Sequence, residues 1–426
     1  MAMLLRGGQV YYQGQLQTAD VLIKDGVIQA VAPQLMVDSD TVQVIDVTGK
    51  LVTPGLVDVH VHYREPGQTA KETIQTGSLA AAHGGFTTVV TMANVDPVPD
   101  TPEQFAKQVA LNQTKGLVHI YQNSPVTKDL TSDQIVDMVA MKKLGAVGFS
   151  NDGHGIQNAK TMYDAMQQAA QVGLPIAAHV QDDALYDHGV MNAGPVAQRL
   201  GLPGILGVSE SSQVARDLDL AAATGVHYHV CHVSTKASVD LIRDAKARGV
   251  KVTAEVAPHH LLFSDDDILT DNSNFKMNPP LRSESDRQAL IQGLLDGTID
   301  LIATDHAPHT DDDKAGGMCH AAFGITGSET AFASLYTAFV RLGIFTLPQL
   351  LHWLTLAPAT AFNLPAGDLQ VGKPADVSVF DLEQQFVYQA TDYLSKGHNT
   401  PLTGQPMYGQ TLLTLVDGQL VYQQED

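Results

Sequence analysis

Between about positions 55 and 305, apolar residues fall into short runs of β character, most followed by a longer stretch of helical spacing. Eight runs read as strands: "LVDVHVH" (56–62), "FTTVVTM" (86–92), "LVHIYQ" (117–122), "AVGFS" (146–150), "LPIAAHV" (174–180), "VHYHVCHV" (226–233), "KVTAEV" (251–256) and "IDLIAT" (299–304). Between most of them lie helical patterns such as "TAKETIQTGSLAAAHGG" and "TSDQIVDMVAMKKLG", each closed by glycine where a helix would stop. Eight β/α units over about 250–300 residues predict an α/β protein built on a (β/α)8 TIM-like barrel. A doubly wound sheet is the rival, but no G-x-G-x-x-G follows the first strand.

The two ends of the chain pattern differently. Residues 1–53 hold "QVYYQG", "ADVLIKDGVIQAVA" and "QVIDVTG", and the carboxyl end repeats the style in "DVSVFDLEQQFVY" and "TLLTLVDGQLVYQ". Asp-Gly at 25–26 and again at 417–418 sits between apolar alternations, a hairpin signal. The expectation is a small β-sandwich domain assembled from residues 1–54 and 364–426, flanking a catalytic barrel of residues 55–363.

Charge narrows the partners. With 25 basic and 46 acidic residues the net charge is −21, which argues against nucleic acid and an anionic membrane surface. An acidic metabolite would need a locally positive pocket. Cys231 and Cys319 are the only cysteines, so no disulfide framework and no CxxC metal site is expected, and a reducing cytoplasm fits. "MAMLLRGGQV" lacks the apolar core of a signal peptide, and no run is long enough to span a membrane.

In such a barrel the chemistry gathers where strands end. Period-two alternation sends Asp58, His60 and His62 to one face of the first strand, with Arg64 just beyond. Asn94 follows the second strand and Asp152 the fourth; His179 ends the fifth and His232 the sixth; Asn278 follows the seventh, and Asp305 ends the eighth. Imidazole and carboxylate ligands suit a catalytic zinc with a position left open for water. A bound metal lowers the pKa of water from about 15.7 towards about 7. Asp305 is then placed both to ligate and to exchange a proton. Arg64 presents a planar fork matched to a carboxylate.

The blocks "VDVHVHYREPG", "VCHVSTKASVDLIRDAK", "EVAPHHLLF", "KMNPPLR", "IATDHAPH" and "AFGITGSETAF", in this order, resemble the amidohydrolase superfamily and, within it, the dihydroorotases. The resemblance runs from the flanking β domain through the whole barrel. It implies Zn2+, one or two ions per subunit, with His60 and His62 on one metal, His179 and His232 on the second, and Asp152 bridging. Asp305 would ligate the first metal and act as acid and base. Substrate contacts would come from His62, Arg64, Asn94, Asn278 and His309, with the backbone around Phe323-Gly324 closing over the ring. The implied reaction is the reversible cyclisation of N-carbamoyl-L-aspartate to L-dihydroorotate in pyrimidine biosynthesis. A homodimer is implied as well, and a complex with aspartate transcarbamoylase is left open. The rivals are another cyclic amidohydrolase, acting on hydantoins, dihydropyrimidines or allantoin, and a non-catalytic barrel serving as scaffold.

Two positions depart from the wider pattern. Many superfamily members bridge their metals with a carboxylated lysine after strand four; "GFSNDG" offers Asp152, as in one bacterial branch of dihydroorotases, and Lys142 and Lys143 fall upstream on a helix. Ala93 stands where the family usually has proline before the asparagine. Among the other polar residues, His229 reads as packing or a hydrogen-bonding partner, Cys231 as core and His306 as structural. Asp58 divides between supporting a ligand and a plain buried hydrogen bond. His259 or His260 is a candidate to orient a ligand. His83 and His154 have no evident partner. The stretch 308–324 is either a solvated loop or a mobile cover bracketed by His309 and Phe323-Gly324.

Overall fold

In the computed structural model, which describes residues 2–425, the eight β runs of the middle segment pair in chain order as parallel neighbours. They are Leu56–Val61, Phe86–Thr91, His119–Ser124, Ala146–Phe149, Ile176–Ala178, Tyr228–Val230, Val252–Val256 and Leu301–Ile302. Past the last strand, His306 pairs in parallel with Val61, and His62 N donates to His306 O at 2.9 Å. That contact brings the eighth strand back to the first, and the sheet closes into the expected barrel.

Helices follow the strands because each carries a start signal and an apolar face. Thr73, Thr101, Asn158, Thr235 and Ser283 each cap a helix by accepting from a first-turn amide. The stretch "TSDQIVDMVAMKKLG" is helical only over Met138–Lys143. Its front half is drawn out instead, since Ile135 bridges to Thr127 and Val136 N donates to Val126 O. Tertiary pairing there overrides the helical period.

Strands from both ends of the chain share one mixed sheet, in the order Gln419–Gln423, Gln410–Val416, Val377–Asp381, Leu51–Pro54, Ala2–Tyr12, Gln15–Lys24 and Val27–Ala32. A further strand, Val42–Asp46, also pairs with Ala2–Tyr12. Both Asp-Gly turns have positive φ at both residues (Asp25 54°, Gly26 80°; Asp417 49°, Gly418 70°), the geometry a right-twisted hairpin favours. The core of this sheet mixes Leu5, Val10, Val21 and Ile23 with Val377, Val379, Leu413 and Leu415. Neither terminus could bury its apolar face without the other. The Phe380 ring packs on Phe332 with centres 4.1 Å apart and planes tilted by 33°, and Thr414 Oγ1 donates to Ala82 O at 2.7 Å, which holds the sheet against the barrel. Among the described residues, no helix is long and apolar enough to cross a membrane.

Candidate active site

The strand ends converge on a buried cluster of imidazoles and carboxylates. His60 Nε2 stands 3.3 Å from Asp152 Oδ1 and 3.4 Å from Asp305 Oδ1. His62 Nε2 stands 3.0 Å from Asp305 Oδ1 and 3.3 Å from Asp152 Oδ2. On the other side of Asp152, Oδ1 is 3.3 Å from His232 Nε2 and 3.8 Å from His179 Nδ1, and those two nitrogens are 3.0 Å apart. The arrangement falls into two groups, His60 with His62 and Asp305, and His179 with His232 and Asp152.

These residues fit a metal on geometry as well as type. A tetrahedral ion with bonds of about 2.1 Å separates its ligand atoms by about 3.4 Å, the spacing found here. His60 Nε2 is fully buried and has no hydrogen-bond partner among the described residues. Burial works to raise Asp152 and Asp305, but the neighbouring histidines, His60 foremost, outweigh it and hold both carboxyls well below the usual range. Burial, with His232 alongside, lowers His179 to about 4, leaving it neutral. Burial works to lower His60 and His232, but Asp152 foremost outweighs it and raises both. A cation, which binds ionised carboxylates and neutral imidazoles, would take the place of the protons held there.

Backbone geometry adds to this. His232 and Asp305 both have positive φ, 33° and 49°, conformations that non-glycine residues seldom adopt and that gather at functional sites. Asp58 holds the second of these turns: its carboxylate accepts from Thr304 N at 3.0 Å, Thr304 Oγ1 at 2.5 Å and His60 N at 3.2 Å. Its buried hydrogen bonds therefore also support two cluster residues. Asn151 anchors the turn carrying Asp152 by accepting from Val126 N and Thr127 N and donating to Leu130 O.

Around the cluster lie the other expected residues. His62 Nδ1 pairs with Asn94 Oδ1 at 2.9 Å, so Asn94 meets a cluster imidazole across a loop that carries Ala93. Asn278 Nδ2 donates to Gln181 Oε1 at 2.7 Å and is 3.4 Å from His179 Nε2. Arg64 is buried, its Nε 3.4 Å from Pro308 O and its Nη2 3.5 Å from His309 Nε2. Among the described residues no carboxylate comes within 4.0 Å of its guanidinium. Burial lowers Arg64 to about 10, which leaves it charged at neutral pH. His309 Nε2 donates to Phe323 O at 2.8 Å, and Gly324 N donates to Lys276 O at 3.0 Å.

The stretch 308–324 is pinned at several points, while Asp311, Asp312, Ala315, Gly316, Cys319 and His320 remain exposed. Lys314 is buried, and its ammonium donates to the carbonyls of Lys276, Ala322 and Gly324 at 2.9 to 3.2 Å. Lys276 in turn lies over the Phe323 ring, 4.2 Å from its centre. Elsewhere His306 accepts from Gly327 N and Ser328 N, a structural place, and Cys231 is fully buried in the barrel core. His260 donates to Pro279 O at 2.9 Å with His259 packed beside it at 4.3 Å. His83 pairs with Glu329 at 2.5 Å beneath Tyr388 and Tyr422, at the seam with the terminal sheet, and His154 is exposed.

Glu255 is the polar residue that the sequence reading leaves unassigned. Its Oε1 lies 2.5 Å from His60 Nδ1 and its Oε2 3.0 Å from His229 Nε2. The available signal was a carboxylate inside a short barrel strand, alternating with Thr253, a costly placement unless it is paired.

Comparison with known proteins agrees with this architecture. Residues 49–238 match the family model described as Dihydro-orotase-like. The chain is similar to the dihydroorotase of Ligilactobacillus salivarius, 60% identical over 428 residues and covering 100% of both chains. It is also similar to that of Lactobacillus leichmannii, 61% identical over 422 residues, 99% of this chain and 98% of that one. Its fold is similar to the solved L-hydantoinase (dihydropyrimidinase) from Arthrobacter aurescens, with a TM-score of 0.89, 26% identity, and coverage of 100% and 96%. With likeness at that level over the full chain, on a barrel whose strand ends gather histidine and aspartate, the chain belongs to the dihydroorotase family of metal-dependent cyclic-amide hydrolases.

Proposed function

We propose that the chain catalyses the reversible cyclisation of N-carbamoyl-L-aspartate to L-dihydroorotate, the dihydroorotase step of pyrimidine biosynthesis, in the cytoplasm. The observation that carries this reading is Arg64: a buried guanidinium near the cluster with no carboxylate within 4.0 Å among the described residues. Asp305, Asp152, Asp313 and Glu72 favour its charge only from a distance, so the guanidinium's hydrogen-bonding fork is open to an anionic ligand. Dihydroorotate brings a free carboxylate; hydantoin and dihydropyrimidine rings do not, which sets this reading above the other cyclic amides.

In this reading His60, His62 and Asp305 would hold one zinc ion and His179 and His232 a second, with Asp152 available to either, one or two ions per subunit. When bound, zinc supplies a polarising charge and a water acidic enough to lose a proton near neutrality. Arg64 receives the substrate carboxylate in its planar fork, while Asn94, Asn278 and His309 fix the ring by hydrogen bonds. The backbone at Phe323 and Gly324 walls the ring in. In ring opening water adds to the amide carbon as the ring C–N bond breaks, and the Asp305 carboxylate takes a proton from that water and delivers it to the departing amide nitrogen. In ring closure the C–N bond forms, and Asp305 takes the proton from the carbamoyl nitrogen and returns it to the oxygen that leaves as water. Residues 55–363 form the catalytic unit, and residues 1–54 with 364–426 the flanking domain. The family resemblance supports a homodimer and leaves room for a complex with aspartate transcarbamoylase; sedimentation of the chain alone and with that enzyme decides both.

Ring opening and closure, measured on metal-quantified protein with a chelator control and zinc add-back, test the proposal. Turnover lost to chelator and restored by zinc is the expected result. No turnover despite bound zinc would favour hydantoin or dihydropyrimidine substrates, and no turnover with no metal would favour a scaffold.

A further inference from the structure

The metal-binding reading above leaves Glu255 and His229 without a role, although both are buried inside the barrel. Strand Val252–Val256 turns Thr253 and Glu255 towards the same side, and the hydrogen bonds there form one continuous line. Glu255 Oε1 meets His60 Nδ1 at 2.5 Å and also accepts from the backbone N of His232 at 3.2 Å. Glu255 Oε2 meets His229 Nε2 at 3.0 Å. Thr253 Oγ1 is 2.8 Å from His229 Nδ1 and 2.8 Å from His227 Nε2.

Donor counting gives this line a single direction. A carboxylate only accepts, so the protons sit on His60 Nδ1 and His229 Nε2. His229 Nδ1 then accepts, which uses the one hydrogen of the Thr253 hydroxyl. His227 Nε2 must therefore donate to Thr253 Oγ1. Each member has a partner of the right kind, and with Nδ1 donating to Glu255 the lone pair of a neutral His60 ring falls on Nε2, the nitrogen facing Asp152 and Asp305. The contact with His232 does something different. It holds a peptide with φ of 33° in the left-handed region, at the residue that supplies a nitrogen to the other group.

We propose that Glu255, backed by His229, is a positioning residue that serves both halves of the metal cluster, through the His60 ring on one side and the His232 backbone on the other. Glu255, His229 and Cys231 also lie close enough to suggest an ion of their own. The ligand atoms of Glu255 and His229 are already committed to each other and to His60, which favours positioning.

The inference rests on the metal reading and is tested by zinc affinity, measured by competition with a chromophoric chelator on Glu255→Gln and His229→Gln. Thermal unfolding of the metal-free proteins reports on the fold separately. Glu255→Gln should weaken every zinc equivalent that the wild type holds, by about 10–100-fold. His229→Gln, which keeps the carboxylate on His60, should weaken them in the same direction by less. Affinities within twofold of wild type in both variants overturn the proposal, whatever the unfolding temperature does. Weakening of one equivalent of two overturns the link between the halves. If Glu255→Gln does not fold, His229→Gln decides by the same criterion. Wild-type protein that takes up no zinc overturns the functional reading and this inference together, whereas wild-type uptake with unchanged variants overturns this inference alone.

Discussion

Arg64 Nη2 stands 3.5 Å from His309 Nε2, two nitrogen groups side by side, and among the described residues no carboxylate lies within 4.0 Å of the guanidinium. In the proposed function the substrate's acid group is the partner of this guanidinium. Arg64→Met should remove a charge-assisted contact of about 3 kcal/mol, so kcat/KM falls about 100-fold, chiefly through KM. Steady-state kinetics in the ring-opening direction check this; unchanged KM and kcat would remove Arg64 from carboxylate binding.

His309 itself adds no charge near neutrality. Burial first, then the positive Arg64, Lys71 and Lys314, lower it to about 3, against about 6.5 for a free imidazole. It takes up a proton only below that value. The KM ratio of His309→Asn to wild type should therefore stay constant from pH 5.5 to 8.5. A ratio that drifts with a midpoint near 6.5 contradicts the assignment.

Asp305 is held by two features that its amide analogue should preserve, the positive φ and the Asp58 bonds to Thr304. Asp305→Asn should lose about 10³-fold in kcat, within the span of general acid–base catalysis, with an unaltered circular dichroism spectrum. Turnover of zinc-saturated variant near the wild-type rate would exclude Asp305 as acid and base.

Lys314 ties the stretch 308–324 down through three carbonyls. Lys314→Met leaves Ala322 O without its donor, while Gly324 N still serves Lys276 O and Asn399 Nδ2 still serves Gly324 O, and should cost about 1–3 kcal/mol. Burial, then the nearby Lys276, lowers Lys314 to about 7. From there to about 10.4, the unfolded chain keeps a proton that the folded chain has lost, so this group's contribution to stability rises with pH across that window. Urea unfolding at pH 7 and pH 9 should show the gap between wild type and Lys314→Met widening. A gap that narrows would contradict the shift.

The barrel is legible in the sequence because its information is local. Each strand run repeats with the period of its element, and His60, His62, His179, His232 and Asp305 stand at run ends, where a barrel displays its chemistry. The Asp-Gly turns are legible for the same reason: backbone preference alone sets positive φ at 25–26 and 417–418. Other features depend on residues far apart in the chain. His60 meets Glu255 across 195 positions, Asp58 meets Thr304 across 246, and closure of the barrel rests on Val61 with His306. The drawn-out segment before Met138 and the pinning of Lys314 belong with these, since each follows from a partner that no period announces. Sequence periodicity determines which face of an element is buried. Which polar groups then meet inside is decided only by folding, because an unpaired buried donor or acceptor costs too much to leave and takes its partner from whatever the tertiary structure brings within reach.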